Sequence, residues 1–190
     1  RGLVIGPDFV LGRGKEGKIA VLRSLGVELG FTVGSVSPLI SAGRVVSSTA
    51  IRQALAQGDV AEASRLLGRP FVLKGQVVRG EAIGRKLGFP TANLAVNSNQ
   101  ALPADGVYAT RAYANDQVLK SVTNIGLRPT FGVHERAVEV FLLDFSGDLY
   151  DKELRIELVG YLRPEKRFNS PAELQSQIQQ DVEQTRALLK

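Results

Sequence analysis

The sequence predicts a two-part chain: a layered α/β segment, then a small antiparallel β-barrel followed by a C-terminal helix. Three observations carry this. Residues 1 to 67 run strand, helix, strand, helix, the rhythm of a layered α/β unit. From Phe71 onward, strand-like runs recur at short spacing with turn residues between them, as in small barrels. After Ser170 an apolar stripe at helical spacing runs to the end.

Taken in order, Leu3-Val4-Ile5-Gly6 reads as a short buried strand ending in a turn. Pro7 to Lys15 is a glycine-rich basic loop. Ile19, Leu22 and Leu25 share one side of a helix over Lys18 to Leu25, and Phe31 to Val36 forms a second strand interrupted by Gly34. Ser47-Ser48-Thr49 precedes a helix from Ala50 to Gln57, and a plain N-cap cluster is its simplest reading. Gly58 breaks that helix, and Asp59 with Glu62 caps the next, Val60 to Leu67, which Gly68 stops. Two strands make only half of such a domain.

Beyond Gly68-Arg69-Pro70 the strand-like runs are Phe71 to Val78, Val107 to Ala114, Gln117 to Val122, Val138 to Phe145 and Leu154 to Tyr161. Asn115-Asp116 is a hairpin signal, and Ser146-Gly147-Asp148 is a turn. Ser170-Pro171-Ala172-Glu173 places an N-cap, a proline in the first turn and a glutamate at N3, and Leu174, Ile178, Val182 and Leu189 give the stripe.

Composition bounds the chemistry. With 44% hydrophobic residues in 190 the chain can bury a core. Zero cysteines exclude disulfides and thiolate metal sites and fit a cytoplasmic setting. The single histidine, His134, excludes a multi-histidine zinc site within the chain and reads as a surface loop residue. No apolar run reaches the length of a membrane span, and no secretory signal opens the chain. Arg1 in first place and the absence of methionine lead us to expect a trimmed or partial chain. The net charge of +5 is concentrated in residues 1 to 70, and 6% aromatics without tryptophan argue against a nucleic-acid partner. Oligomeric state is not legible.

The chemistry concentrates in Arg79 to Asn93. Gly80, Gly84 and Gly88 can admit phosphate oxygens to backbone N–H groups, and Arg85 and Lys86 supply positive charge. Thr91 and Asn93 are hard oxygen ligands of the kind Mg²⁺ takes beside phosphate and water. Two apart in an extended stretch, they point to one face. Glu139, within the apolar run Val138 to Leu143, is either on the wet face of its strand or placed for work.

Several stretches carry a family resemblance: Gly75, Gly80, Gly84-Arg85, Leu87 to Asn93, Asn124-Ile125-Gly126, Arg128 to Phe131, Val138-Glu139, Asp148-Leu149-Tyr150 and Leu162-Arg163-Pro164. In this order they resemble the riboflavin kinases. Gly68-Arg69-Pro70-Phe71 resembles the junction in bifunctional bacterial riboflavin kinase/FAD synthetases. The resemblance implies that residues 70–190 are a closed Greek-key barrel converting riboflavin and ATP, with Mg²⁺, to FMN and ADP. It implies Glu139 as catalytic base, Gly84, Arg85 and Lys86 on the ATP phosphates, and Thr91 and Asn93 on the metal. Asn124, Ile125, Arg128, Thr130, Phe131 and Arg163 would border the flavin, although Ile125 and Phe131 could equally be core, and Arg128 and Arg163 solvated cations.

Residues 1–69 resemble the second half of a Rossmann-like FMN adenylyltransferase module. There Ser47, Ser48, Thr49 and Arg52 would help hold ATP phosphates at a helix start. The His-x-Gly-His motif of that module does not occur, and Pro7, Val10 and Leu11 depart from its pattern, so FAD synthesis is expected to be absent from this chain. Two other readings compete: a non-catalytic flavin-binding module, and a small basic barrel that binds nucleic acid.

Overall fold

The computed structural model describes the chain apart from residues 81–82 and 131–132; at 83, 86, 128–130 and 133–135 it describes the backbone alone. The described residues form two compact units, Arg1–Val46 and Ser47–Lys190.

In the first unit β1 (Gly2–Ile5) and β2 (Thr32–Ser35) pair in parallel through α1 (Ile19–Leu29). A parallel pair needs such a crossover, so the strand–helix–strand expectation holds. The helix runs four residues past the expected Leu25, because Gly26 continues it and Gly30, at φ 74°, supplies the left-handed cap. Of the strand expected to be buried, Ile5 is buried and Val4 is 70% exposed. A hairpin that the sequence reading did not anticipate, β3 (Ile40–Ser41) with β4 (Arg44–Val45), turns through Ala42 and Gly43 at positive φ.

The second unit opens with α2 (Ser48–Ala56) and α3 (Val60–Leu67), both where expected. Six strands follow: β5 (Phe71–Val78), β6 (Thr91–Val96), β7 (Gly106–Ala114), β8 (Gln117–Thr130), β9 (Val133–Leu142) and β10 (Glu153–Arg163). One helical turn, α4 (Ile83–Lys86), lies between β5 and β6, and α5 (Pro171–Leu188) ends the chain. The strands close a barrel in the order β10-β5-β6-β9-β8-β7, every pair antiparallel. β7, β8 and β9 are consecutive hairpin partners and β10 returns beside β7, which is a Greek key. The sequence read Thr91–Asn93 as extended but did not count β6 as a barrel strand, and it ended β8 at Val122.

Alternation decides which face is core. Leu73, Leu94, Val138, Val140, Ile125 and Ile156 point inward and are almost wholly buried. Thr110, Ser121 and Thr123 are also fully buried, and their hydroxyls bond to one another at 2.7 and 2.8 Å, so these polar groups are satisfied. On the outer face, Val107, Val122 and Leu143 receive Ile178 and Val182 of α5. The α5 cap forms as the sequence implied: Ser170 Oγ accepts from the Glu173 N–H at 3.2 Å, and Glu173 accepts from the Asn169 N–H at 3.1 Å.

Helices α2 and α3 pack with the barrel. Val60 is part of the barrel's core cluster, while Ala54, Leu55 and Ala63 pack with Phe71. The Phe71 N–H donates to Ser64 Oγ at 3.1 Å, and the Ala104 N–H to the Leu55 carbonyl at 2.8 Å. The compact units therefore divide at 46/47, with α2 and α3 on the barrel side.

Candidate active site

Register builds the site. Asn93 on β6 lies opposite Glu139 on β9, and Glu139 lies opposite Asn124 on β8. Residues directly opposite in antiparallel strands share a face, with Cβ atoms roughly 4.5–5.5 Å apart. The neighbours Val138 and Val140 point into the barrel core, so the polar row points outward. Glu139 is thus half-buried on the barrel wall between two amides, which settles on which face of its strand it stands.

Glu139 and Asn124 of this row face a cavity of about 330 Å³, whereas Asn93 is buried and does not line it. Thr91, Asn124, Glu139 and Phe141 line its barrel side. Phe89, from the glycine-rich loop, meets Phe141 edge to face at 5.4 Å. Leu174 and Ile178 of α5 cover the opposite side, with Arg163 and Phe168 at the approach to the helix. A second hollow of about 510 Å³ is lined by Arg85, Pro90, Phe145, Asp148 and Tyr150. Thr91 borders both, so the two hollows adjoin there: the first carries Glu139, Glu165, Asp181, Arg163 and Lys166 among apolar walls, the second Arg85 and Asp148.

The glycines of the loop serve close approach to the chain itself. A Cβ at Gly80 would overlap the Asn93 amide, and one at Gly84 would overlap the Phe89 carbonyl. Gly84 also closes the turn, its carbonyl accepting from the Leu87 and Phe89 N–H groups at 3.0 and 2.8 Å. Phosphate access was the expectation for these glycines; a second constraint, room for Asn93 and for the turn, acts on them as well.

Among the described residues no cluster of three or more His, Cys, Asp or Glu forms a metal site. Thr91 and Asn93, two apart on the outer face of β6, instead offer a hydroxyl and an amide beside the Glu139 carboxylate. This set of hard oxygens suits a Mg²⁺ ion that keeps water and phosphate ligands.

Other expected residues lie elsewhere. Ile125 is fully buried in the barrel core, one residue along from Asn124 and on the opposite face, so its side chain is not on the cavity wall. Arg163 lines the cavity, but its guanidinium is engaged: it donates to both carboxylate oxygens of buried Asp181 on α5, at 2.9 and 2.8 Å. It therefore ties the helix to the barrel rather than standing as a solvated cation. Lys86 lies in α4 and Arg128 and Thr130 in β8, with side chains outside the description; Phe131 lies outside the described residues.

Ser47, Ser48, Thr49 and Arg52 stand at the start of α2. Ser47 Oγ accepts from the Ala50 N–H at 3.2 Å, a plain cap. Ser48 and Arg52 line a separate hollow of about 250 Å³ with Arg69 and Gln100, which shares no lining residue with the other two. The sequence reading missed Phe89, Phe141 and Phe168 as cavity residues and gave Leu174 and Ile178 only as part of the helix's apolar stripe. A signal existed for Phe141, two residues from Glu139 and hence on its face.

The profile of the family described as "Flavokinase: Riboflavin kinase" matches residues 67–189, and the chain belongs to this family. It is 42% identical over 180 residues to the bifunctional riboflavin kinase/FMN adenylyltransferase of Escherichia coli (strain K12), covering 94% of this chain and 57% of that one. The protein of the same description from Pseudomonas fluorescens is 42% identical over 187 residues, covering 98% and 60%. A crystal structure described as a macrolide-efflux protein from Streptococcus pneumoniae matches with a TM-score of 0.84 at 34% identity, over 96% of this chain and 60% of that one. The chain thus spans less than two thirds of the curated relatives it matches.

Proposed function

We propose that this chain transfers the γ-phosphoryl group of ATP to riboflavin, giving FMN and ADP. The observation that carries the reading is the row Asn93–Glu139–Asn124 on one outer face, with Glu139 and Asn124 on the wall of the first hollow and Thr91 bordering both hollows. The isoalloxazine ring lies in the apolar-walled cavity against Phe141 and α5, and the ATP phosphates lie towards Gly84, Arg85 and Lys86. Asn124 and Arg163 border the flavin side; Arg128, Thr130 and Phe131 are assigned there on family resemblance.

Glu139 accepts a hydrogen bond from the terminal ribityl hydroxyl and takes its proton as the oxygen attacks. An O–P bond forms at the γ-phosphorus, the bond to the β–γ bridging oxygen breaks, and ADP leaves. Thr91 and Asn93 would hold Mg²⁺, which would supply neutralisation of phosphate charge. Arg85 adds positive charge on the same side. Transfers of this kind need positioning and charge neutralisation above all.

Residues 1–69 are, in the same proposal, the second half of a Rossmann-like FMN adenylyltransferase module, and 70–190 the kinase domain. The parallel β1–α1–β2 unit and the two activities in the relatives' names support this. Ser47, Ser48, Thr49 and Arg52 then serve that module's phosphates, consistent with their distance from the kinase hollows in lining residues. Among the described residues no helix is long and apolar enough to cross a membrane. A cytoplasmic setting with small-molecule partners alone is part of the proposal.

Incubation with riboflavin, ATP and Mg²⁺, followed by chromatography of the flavins, is the test. FMN should accumulate with ADP in equal amount. Riboflavin that is bound but never phosphorylated would overturn the reading in favour of a flavin-binding module.

A further inference from the structure

Besides Glu139 and Asp181, the cavity holds a third carboxylate, which this mechanism does not use. Glu165, in the segment between β10 and α5, lines the cavity with Asn124 and Glu139. Asn124 Nδ2 donates to Glu165 Oε1 at 3.4 Å. Two residues beyond Asn124, on the same face of β8, a Cβ at Gly126 would overlap the Glu165 carboxylate. The carboxylate therefore occupies the space that a side chain at 126 would fill. Gly126 is not among the residues at positive φ, so its glycine is needed for room and not for backbone conformation. The cations flanking Glu165 are engaged elsewhere: Arg163 pairs with Asp181 and Lys166 with Glu173.

Glu139 and Glu165 thus flank one amide, Asn124. A flavin whose terminal hydroxyl sits at Glu139 brings the groups a few carbons inward up to Asn124 and Glu165. In a ribityl chain those groups are further hydroxyls, each both donor and acceptor. A carboxylate that accepts and an amide NH₂ that donates complement them. We propose that Glu165, seated on Gly126 and steadied by Asn124, reads the inner hydroxyls of the polyol chain and so selects flavins that carry one. This rests on the riboflavin reading above.

Fluorescence titration of the full chain with riboflavin, and with lumiflavin as the same ring without the polyol, tests it. Glu165→Ala should weaken riboflavin binding by about ten- to a hundredfold, the usual cost of losing a hydrogen bond to a charged group. Lumiflavin binding should not change. Gly126→Ala, which displaces the carboxylate without touching it chemically, should reproduce the loss, and the double variant should be no worse than either single one. The expected change is in KM for riboflavin, with kcat at saturation nearly kept. Glu165→Gln leaves β8 undisturbed and should show a smaller loss in the same direction if Gly126→Ala does not fold. Unchanged riboflavin binding in Glu165→Ala overturns the proposal. So does an equal loss for lumiflavin, which places the carboxylate on the ring, or two single losses that multiply in the double variant. A parent protein that binds no riboflavin overturns the kinase reading itself and this inference with it.

Discussion

Glu139 sits where one residue of slip would turn it inward. Its two strand neighbours, Val138 and Val140, are in the barrel core, and its own face carries the amides of Asn93 and Asn124 across the ladder. Glu139→Gln keeps the shape and loses the basicity. It should lower kcat by about 10² to 10⁴, the usual worth of a general base, or roughly 3–5 kcal/mol of barrier. Steady-state rates beside a riboflavin titration separate chemistry from binding, and turnover within a few-fold of the parent would make Glu139 a bystander. Thr91→Ala and Asn93→Ala should each raise the Mg²⁺ concentration needed for half-maximal rate while leaving riboflavin affinity nearly intact; a magnesium titration of rate decides. A fourth residue reports on alkali. Burial pushes the Tyr108 phenol up to about 12, with Tyr161 adding to it. The folded state then holds this proton more tightly than the unfolded one. The stabilisation is complete below the ordinary value near 10 and is lost as pH rises towards 12, by up to about 3 kcal/mol. The urea midpoints of the parent and Tyr108→Phe are offset at lower pH by the lost hydrogen bond from the phenol to the Ala104 carbonyl, and their separation should change only across that window. At this scale the sequence named Glu139, Thr91 and Asn93 as candidates, but it left the face of Glu139 open and grouped Ile125 with Asn124. The deciding fact, which strand lies opposite which, is non-local and leaves no trace in spacing along one strand.

Helix α5 is the element that turns an outer barrel wall into a cavity. Its apolar residues cover Val107 and Val122, and its Asp181 holds Arg163. Two exposed contacts near its ends titrate. The Arg186 guanidinium holds the Asp144 carboxyl below the usual carboxylate value, and the Asn169 N–H, with Lys166, does the same for Glu173. Both groups are charged more readily in the folded state, so they stabilise above the ordinary carboxylate pKa of about 4 and cease to do so as pH falls through their lowered values. Protection factors of α5 amides should therefore fall in acid before those of barrel strands; simultaneous loss of protection would show that the helix and barrel respond as one. The helix itself was plain in the sequence from Ser170, Pro171 and Glu173 and the apolar stripe. What the stripe would cover was not, because periodicity reveals that a face is apolar and not what it meets. Strand β6 escaped for a related reason: its six residues include Thr91, Ala92, Asn93 and Ala95, and their pattern is too polar to announce a barrel strand.

For the molecule as a whole, the division of compact units matters more than the division of motifs. A chain beginning at Ser47 keeps α2 and α3 on the barrel, whereas one beginning at Pro70 strips Val60 from the core cluster and removes the partners of Phe71. Losing that buried apolar surface should cost at least about 2 kcal/mol, and lower the melting temperature of the 70–190 fragment by about 5 °C or more relative to 47–190. Equal melting temperatures would mean that the helices are passengers. Barrel closure has its own consequence in time. The last strand, β10, pairs with the first, β5, so that Leu158 meets Phe71. During synthesis the helical hairpin and the early strands leave the ribosome long before the strand that seals them. The ladder cannot be completed, nor the cavity exist, until β10 and α5 have emerged, and folding governed by so distant a pairing belongs on the order of milliseconds to seconds. A ribosome stalled before Glu153 would hold a chain with Glu139 already made and no cavity around it.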